Sequence, residues 1–361
     1  MNVTLSPEER ISRDLKSLFS SYGYSQYRMS KFEEYDLYVR NKSFLLSDSV
    51  ITFTDTTGKL LALKPDVTLS IVKNEGDVAS GVRKLFYSES VYRISERTGA
   101  FREIPQTGLE CLGDVDGYHL SEVLTLAAKA LSLISEDFVL DVSHSGLLRL
   151  AMEAAGVADA DREDVLTFVS QKNRHDLASL LSSHGADPAP LLALIDASGD
   201  PATVLPRLAS VIDSAAWREA LDELSAILSP LPASHVRVDF SVIHDLSYYN
   251  GIVFGGFVAG VPECVLSGGQ YDRLMERLCK SSRAVGFAVY PDRLDNRDGE
   301  RALDADTVIL YSAGDDPARV SLAVEKHVSL GERVVALREI PETLTFGKLV
   351  RLTDCEVSAN G

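Results

Sequence analysis

Three side chains of different charge type recur at four-residue intervals in one segment: Arg102, Gln106 and Glu110 of Arg102-Glu103-Ile104-Pro105-Gln106-Thr107-Gly108-Leu109-Glu110. In an extended strand successive side chains alternate faces, so this spacing places all three on one face. Gly108 sits between Gln106 and Glu110 on that face and leaves a gap in its wall. A cation, an amide and a carboxylate around one gap have the chemistry to recognise a small zwitterion. The same alternation also fits the ordinary solvated face of an antiparallel sheet. Pro105 marks a bulge or a sheet edge, because it cannot donate to a ladder.

Tyr248 and Tyr249 precede an Asn250-Gly251 turn signal. Their rings can wall a pocket while the hydroxyls fix a polar ligand, or they can simply cap a core edge. Gly268-Gly269, ahead of Gln270-Tyr271, reads as a turn at a strand-to-helix junction. His244 beside Asp245 has no Ser or Cys nucleophile near it, and His144, His175 and His184 are dispersed. None is read as catalytic or metal-binding. Cys111, Cys264, Cys279 and Cys355 lack zinc-ligand or CxxC spacing and read as reduced thiols. There is no P-loop, no Rossmann glycine fingerprint and no HExxH. The residues thus imply a binding surface with no catalytic set, no metal and no cofactor.

These residues need a sheet to hold them. Val50–Phe53 and Leu60–Leu63 flank Asp55-Thr56-Thr57-Gly58, which is hairpin chemistry. Val82–Tyr92 and Phe101–Leu112 read as a second strand pair. Further strands are expected at Phe138–Val142, Val236–Val242, Ile252–Val258, Cys264–Leu266 and Ala284–Tyr290. Ser6-Pro7-Glu8-Glu9 starts a helix that buries Ile11, Leu15 and Leu18. Leu120, Val123, Leu124, Ala127, Leu131 and Ile134 mark another, and Gln270–Cys279 a third. Residues 145–229 are rich in Ala and Leu, broken by Gly and Pro, and read as a helical insertion. Runs of strands followed by runs of helices argue for an α+β fold with a largely antiparallel sheet flanked by helices. The polar stretch Asp292–Asp306 separates residues 1–304 from a small α/β tail, 305–361, read as strand, helix and strand.

Acids outnumber bases 53 to 36, for a net charge of −17. Such a surface repels phosphate backbones, so nucleic-acid binding is not expected. The tail, with nine acids against six bases, does not suit RNA either. The start of the chain lacks the pattern of a signal peptide, and no apolar run approaches a membrane span. A cytoplasmic, soluble protein is expected.

In order along the chain, these segments resemble the class II histidyl-tRNA synthetase fold over roughly residues 5–295. The resemblance rests on Leu63-Lys64-Pro65-Asp66-Val67-Thr68, on Val91–Arg97 with Phe101–Glu110, and on Leu246–Phe254. Ser267–Leu274 and Ala284–Leu294 complete it. Four departures accompany it. His244 and Asp245 stand where active synthetases have Arg-Gly, and a guanidinium steadies developing negative charge where an imidazole beside a carboxylate does not. The loop between Arg93 and Gln106 is one residue shorter than usual. Tyr290-Pro291 replaces a Gly-Leu type pair, although Arg293 remains. The tail is about half an anticodon-binding domain in length and is acidic.

The departures resemble an offshoot of that family, the regulatory subunits of ATP phosphoribosyltransferase. That resemblance implies a non-catalytic chain that charges no tRNA. Its implied partner is a short-form catalytic subunit, in the first step of histidine biosynthesis. Feedback by histidine as effector and a homodimer within a hetero-oligomer are implied as well. By the same resemblance Asp66, Thr68 and Gln106 would hold an α-amino group, and Glu110 and Tyr249 would meet an imidazole. Tyr248 and Tyr271 would wall the pocket, with Arg93 and Arg102 where synthetases contact carboxylate or phosphate. An unusual histidyl-tRNA synthetase and a stand-alone histidine sensor are the alternatives.

Overall fold

The computed structural model describes residues 7–40, 50–75, 78, 80–95, 98–243, 248–294 and 303–352. These residues fall into a large unit within 7–294 and a small one within 303–352.

The large unit is built on one nine-stranded sheet. Its centre is the long hairpin Val82–Ile94 and Phe101–Gly113, followed by Arg283–Val289, Leu266–Gln270, Ile252–Val258 and Phe138–His144. All of these neighbours pair antiparallel, and parallel pairing occurs only at the two flanks. The hairpin strands pair along their whole length, whereas Arg283–Val289 reaches only residues 107–113 of the hairpin. Pro105 lies just beyond that pairing, where its missing N–H costs the ladder nothing.

Period-two alternation sorts the side chains. Phe86, Leu109, Cys111, Val285, Phe287 and Val289 belong to the main core. There they meet the helices Pro7–Ser21 and Gly117–Ile134, which contribute Leu15, Phe19, Leu120, Val123, Leu124, Ala127 and Leu131. Asp116 starts the second helix by accepting the His119 backbone N–H at 3.1 Å. The alternate residues Tyr87, Gln106, Glu110, Gly286 and Ala288 face the other side and line a cavity. A small antiparallel sheet, Phe32–Glu34, Leu60–Leu63 and Thr52–Thr54, is joined to the helix Thr68–Asn74.

Three expectations are corrected. The segment 63–68, whose match in the resembled family is a strand motif, is not one strand here: the strand ends at Leu63, Pro65 withholds an N–H, and a helix begins at Thr68. Gly268-Gly269 is not a turn but lies inside the strand Leu266–Gln270. Its lack of side chains is needed there, because a Cβ on Gly269 would overlap the Tyr249 ring. The tail has a third strand. Val334–Leu337, Ala305–Leu310 and Phe346–Arg351 form a parallel sheet, with the helix Pro317–Ser329 between the first two in sequence. Arg333 and Asp306 form a two-point ion pair within it.

The insertion is helical, with segments from Ser145–Ala155 to Ala215–Leu228 around buried leucines and Trp217, whose indole N–H donates to the Leu208 carbonyl. No helix among the described residues is long and apolar enough to cross a membrane.

Candidate functional site

The cavity over the sheet has a volume of about 250 Å³. Each wall comes from a different element. The turn into helix Thr68–Asn74 supplies Asp66 and Thr68, and the hairpin supplies Tyr87, Arg93, Ile104, Gln106 and Glu110. Tyr248, Tyr249 and Tyr271 add aromatic wall, and Ser267, Tyr290 and Arg293 complete the lining, the Ser267 and Tyr290 hydroxyls being 2.8 Å apart.

Glu110 is the floor. It is 1% exposed and accepts from the Thr68 hydroxyl at 2.6 Å and the Tyr271 hydroxyl at 2.5 Å. Burial pushes its carboxyl up to about 8, although those two hydrogen bonds pull the other way. Gly286 stands opposite Glu110 on the neighbouring strand, and a Cβ there would overlap the carboxylate. Only glycine leaves room for this acid.

Asp66 accepts the Leu69 backbone N–H at 2.7 Å, which anchors the first turn of the helix. Burial raises its pKa, against the pull of that N–H and of Arg93. Arg93 donates from Nε to the Pro65 carbonyl at 3.0 Å. Among the described residues its side chain makes no ion pair, although a guanidinium has five donors. The tyrosine rings pack at tilted angles, with centroids 4.7 Å apart for Tyr248 and Tyr249 and 5.9 Å for Tyr248 and Tyr271. Burial holds the Tyr248 and Tyr271 hydroxyls protonated. Two buried carboxyls without a direct ion pair among the described residues, beside a guanidinium bonded to a carbonyl, form a site that is dipolar and polar inside an apolar shell. It suits a molecule carrying an ammonium and a carboxylate.

Of the nine residues singled out in the sequence, eight line this one cavity: Asp66, Thr68, Arg93, Gln106, Glu110, Tyr248, Tyr249 and Tyr271. Arg102 does not. It faces Arg93 across the hairpin, but the strand there outruns the rest of the sheet and Arg102 is exposed at its end. Sequence reasoning missed Tyr87, Ser267 and Tyr290 as wall residues. Tyr87 had a signal, since it opposes Gly108 across the hairpin and fills the gap that glycine leaves.

His244 and Asp245 lie outside the described residues, as does Cys355. His144 is buried and accepts the Leu147 N–H, capping the helix Ser145–Ala155, while His184 pairs with Asp161. No group of three His, Cys, Asp or Glu side chains able to hold a metal occurs among the described residues.

A model of the histidyl-tRNA synthetase family matches residues 4–294. The chain belongs to that family. Within it, the chain is similar to the ATP phosphoribosyltransferase regulatory subunit of Oceanobacillus iheyensis, at 29% identity over 308 residues, 81% of this chain and 76% of that one. In fold it is similar to the crystal structure of an ATP phosphoribosyltransferase regulatory subunit/histidyl-tRNA synthetase from Bacillus halodurans. The TM-score is 0.74 at 24% identity, covering 97% of this chain and 96% of the other. A chain of the ATP phosphoribosyl transferase (HisG:HisZ) complex from Thermotoga maritima has the same fold, with a TM-score of 0.62 at 18% identity, over 79% and 97% of the two chains. The family's class II synthetase architecture is the α+β fold described above.

Proposed function

We propose that this chain is a non-catalytic regulatory subunit of an ATP phosphoribosyltransferase, acting in the first step of histidine biosynthesis. The likeness to proteins named as that subunit, over 81% of the chain, carries the reading. The chain would act in the cytoplasm by binding a short-form catalytic subunit, as a homodimer within a hetero-oligomer, and would make that enzyme responsive to histidine. It would charge no tRNA, since His244 and Asp245 stand where an active synthetase is expected to have Arg-Gly.

The cavity would hold histidine. Asp66, Thr68 and Gln106 would receive the α-amino group, Arg93 the carboxylate, and Glu110 and Tyr249 the imidazole, between the walls Tyr248 and Tyr271. A protonated Glu110 can donate to an imidazole nitrogen, and an ionised one can accept its N–H. For such binding to inhibit, histidine must prefer the inhibited state of the complex, and the size of that preference sets the size of the effect.

The test is a coupled assay of the cognate catalytic subunit with and without this chain, across a histidine titration. A stable hetero-oligomer on a sizing column, with phosphoribosyl-ATP synthesis that rises on mixing and falls with histidine, is expected. Equal activity and equal histidine response in both arms, with no co-elution, rejects the reading. Histidine-driven pyrophosphate exchange above a no-enzyme control would instead favour a synthetase.

A further inference from the structure

Tyr290 is a wall residue to which the amino-acid reading of the site assigns no contact. It follows the strand Arg283–Val289, is buried, and its hydroxyl shares a hydrogen bond of 2.8 Å with Ser267. Its backbone N–H donates to the Val265 carbonyl at 2.9 Å, so both ends of the residue are fixed. The Arg293 guanidinium lies over its ring, 4.1 Å from the centroid, and also donates to the Cys264 carbonyl.

A guanidinium plane inside a cavity is a stacking platform for a flat heteroaromatic ring. Arginines nearby extend its use to phosphates. Arg93 lines the same cavity, and Arg102 opposes it across the hairpin. The charges of Arg293 and Arg102 both reach Asp292, so Arg102 lies near the Arg293 end of the cavity without lining it. This end therefore has what a purine nucleotide would require, except that the platform is taken. A ring of the chain's own covers it, and the remaining space, about 250 Å³, is below the roughly 300 Å³ at which pockets for larger ligands begin.

We infer that Tyr290 is a specificity-determining plug: stacked under Arg293 and tied to Ser267, it limits the cavity to one small amino-acid-sized ligand and shuts out purine nucleosides and nucleotides. This deepens the histidine reading by setting what else the same site admits.

The test uses the full chain with adenosine, ATP and histidine as separate probes in calorimetry, with folding followed by circular dichroism. Tyr290→Gly is expected to bind adenosine and ATP at least about tenfold more tightly than the wild-type chain, the scale of a desolvated cation–π contact. Tyr290→Phe keeps the ring and is expected to behave as wild type. Tyr290→Leu, which lacks a flat ring, serves if the glycine variant does not fold. A folded Tyr290→Gly or Tyr290→Leu that gains no affinity for either probe overturns the inference. So does a wild-type chain that binds adenosine as tightly as those variants, whichever of them folds. A nucleoside gain without any histidine binding supports the plug while rejecting the histidine assignment.

Discussion

The two faces of the central sheet are cut from the same strands by alternate residues, and they obey different physics. On one face Leu109, Cys111, Val285 and Phe287 pack against the helix Gly117–Ile134, where close packing sets the energy. On the other, Gln106, Glu110 and Tyr271 are just as buried, yet each is a polar group held by specific partners or facing the cavity. Burial therefore does not separate core from site here. What separates them is whether a buried group is neutral and filled around, or ionisable and left with unused hydrogen-bonding capacity. Cavity size gives no better guide. A larger space of about 520 Å³ in the insertion is lined mostly by Ala, Pro and Leu, with no buried ionisable side chain.

Four substitutions sharpen the contrast. On the packed face, Leu131→Ala leaves a hole beneath the sheet and should cost about 2–5 kcal/mol in denaturant unfolding. Histidine affinity at temperatures where the variant is folded should stay unchanged, and a large change in affinity would show that the faces are coupled.

On the cavity face, Glu110→Gln should weaken histidine binding by about tenfold in calorimetry, the loss expected when a buried carboxyl that can donate to an imidazole nitrogen or accept its N–H is replaced. The same variant should alter the pH dependence of stability. The Glu110 carboxyl titrates near 8 in the fold and near its ordinary 4.5 when unfolded. Between those values the native state holds a proton that the unfolded state has released, so wild-type stability falls as pH rises through the window. Below about pH 4 both states are protonated, the slope vanishes and the stability stands at its full value. Unfolding at pH 5 and pH 8.5 should show a smaller decline for Glu110→Gln than for wild type. Parallel declines would mean that Glu110 is not the titrating group.

The smallest effect belongs at the end of the hairpin. Arg93→Ala should weaken histidine about tenfold through loss of a carboxylate partner, whereas the exposed Arg102→Ala should change it less than about twofold. Equal losses would extend the site to the end of the hairpin.

Much of this architecture was legible from alternation alone. Strands 82–94 and 101–113 and the helix 117–134 follow apolar periodicity, and the four-residue interval of Gln106 and Glu110 did place them on one face. Arg102 shows the limit. Period two gives the face but not how far neighbouring strands extend, and pairing ends at Thr107. Gly268-Gly269 misled for a related reason. Glycine signals a turn locally, while here the requirement is steric and comes from Tyr249, distant in sequence. The Tyr290–Arg293 stack was visible as a departure from a family pattern, but its meaning depends on a cation lying over a ring, which no spacing encodes.

The reach of the hairpin beyond the sheet has a kinetic consequence. Its outer half, Glu89–Ile94 with Phe101–Gln106, is a ribbon of two strands, tied to the rest of the unit by the Tyr92 N–H to the Lys64 carbonyl, by Arg93 to the Pro65 carbonyl and by the ion pair of the fully buried Lys64 with Glu89 among other contacts. A two-stranded ribbon is marginal by itself. It can open in a sub-global step while the inner half, paired on both sides, stays closed. Deuterium should enter the amides of the outer half first. Because Arg93, Ile104 and Gln106 belong to both ribbon and cavity, a molecule seated over Glu110 also sets the opening rate of the arm that holds it.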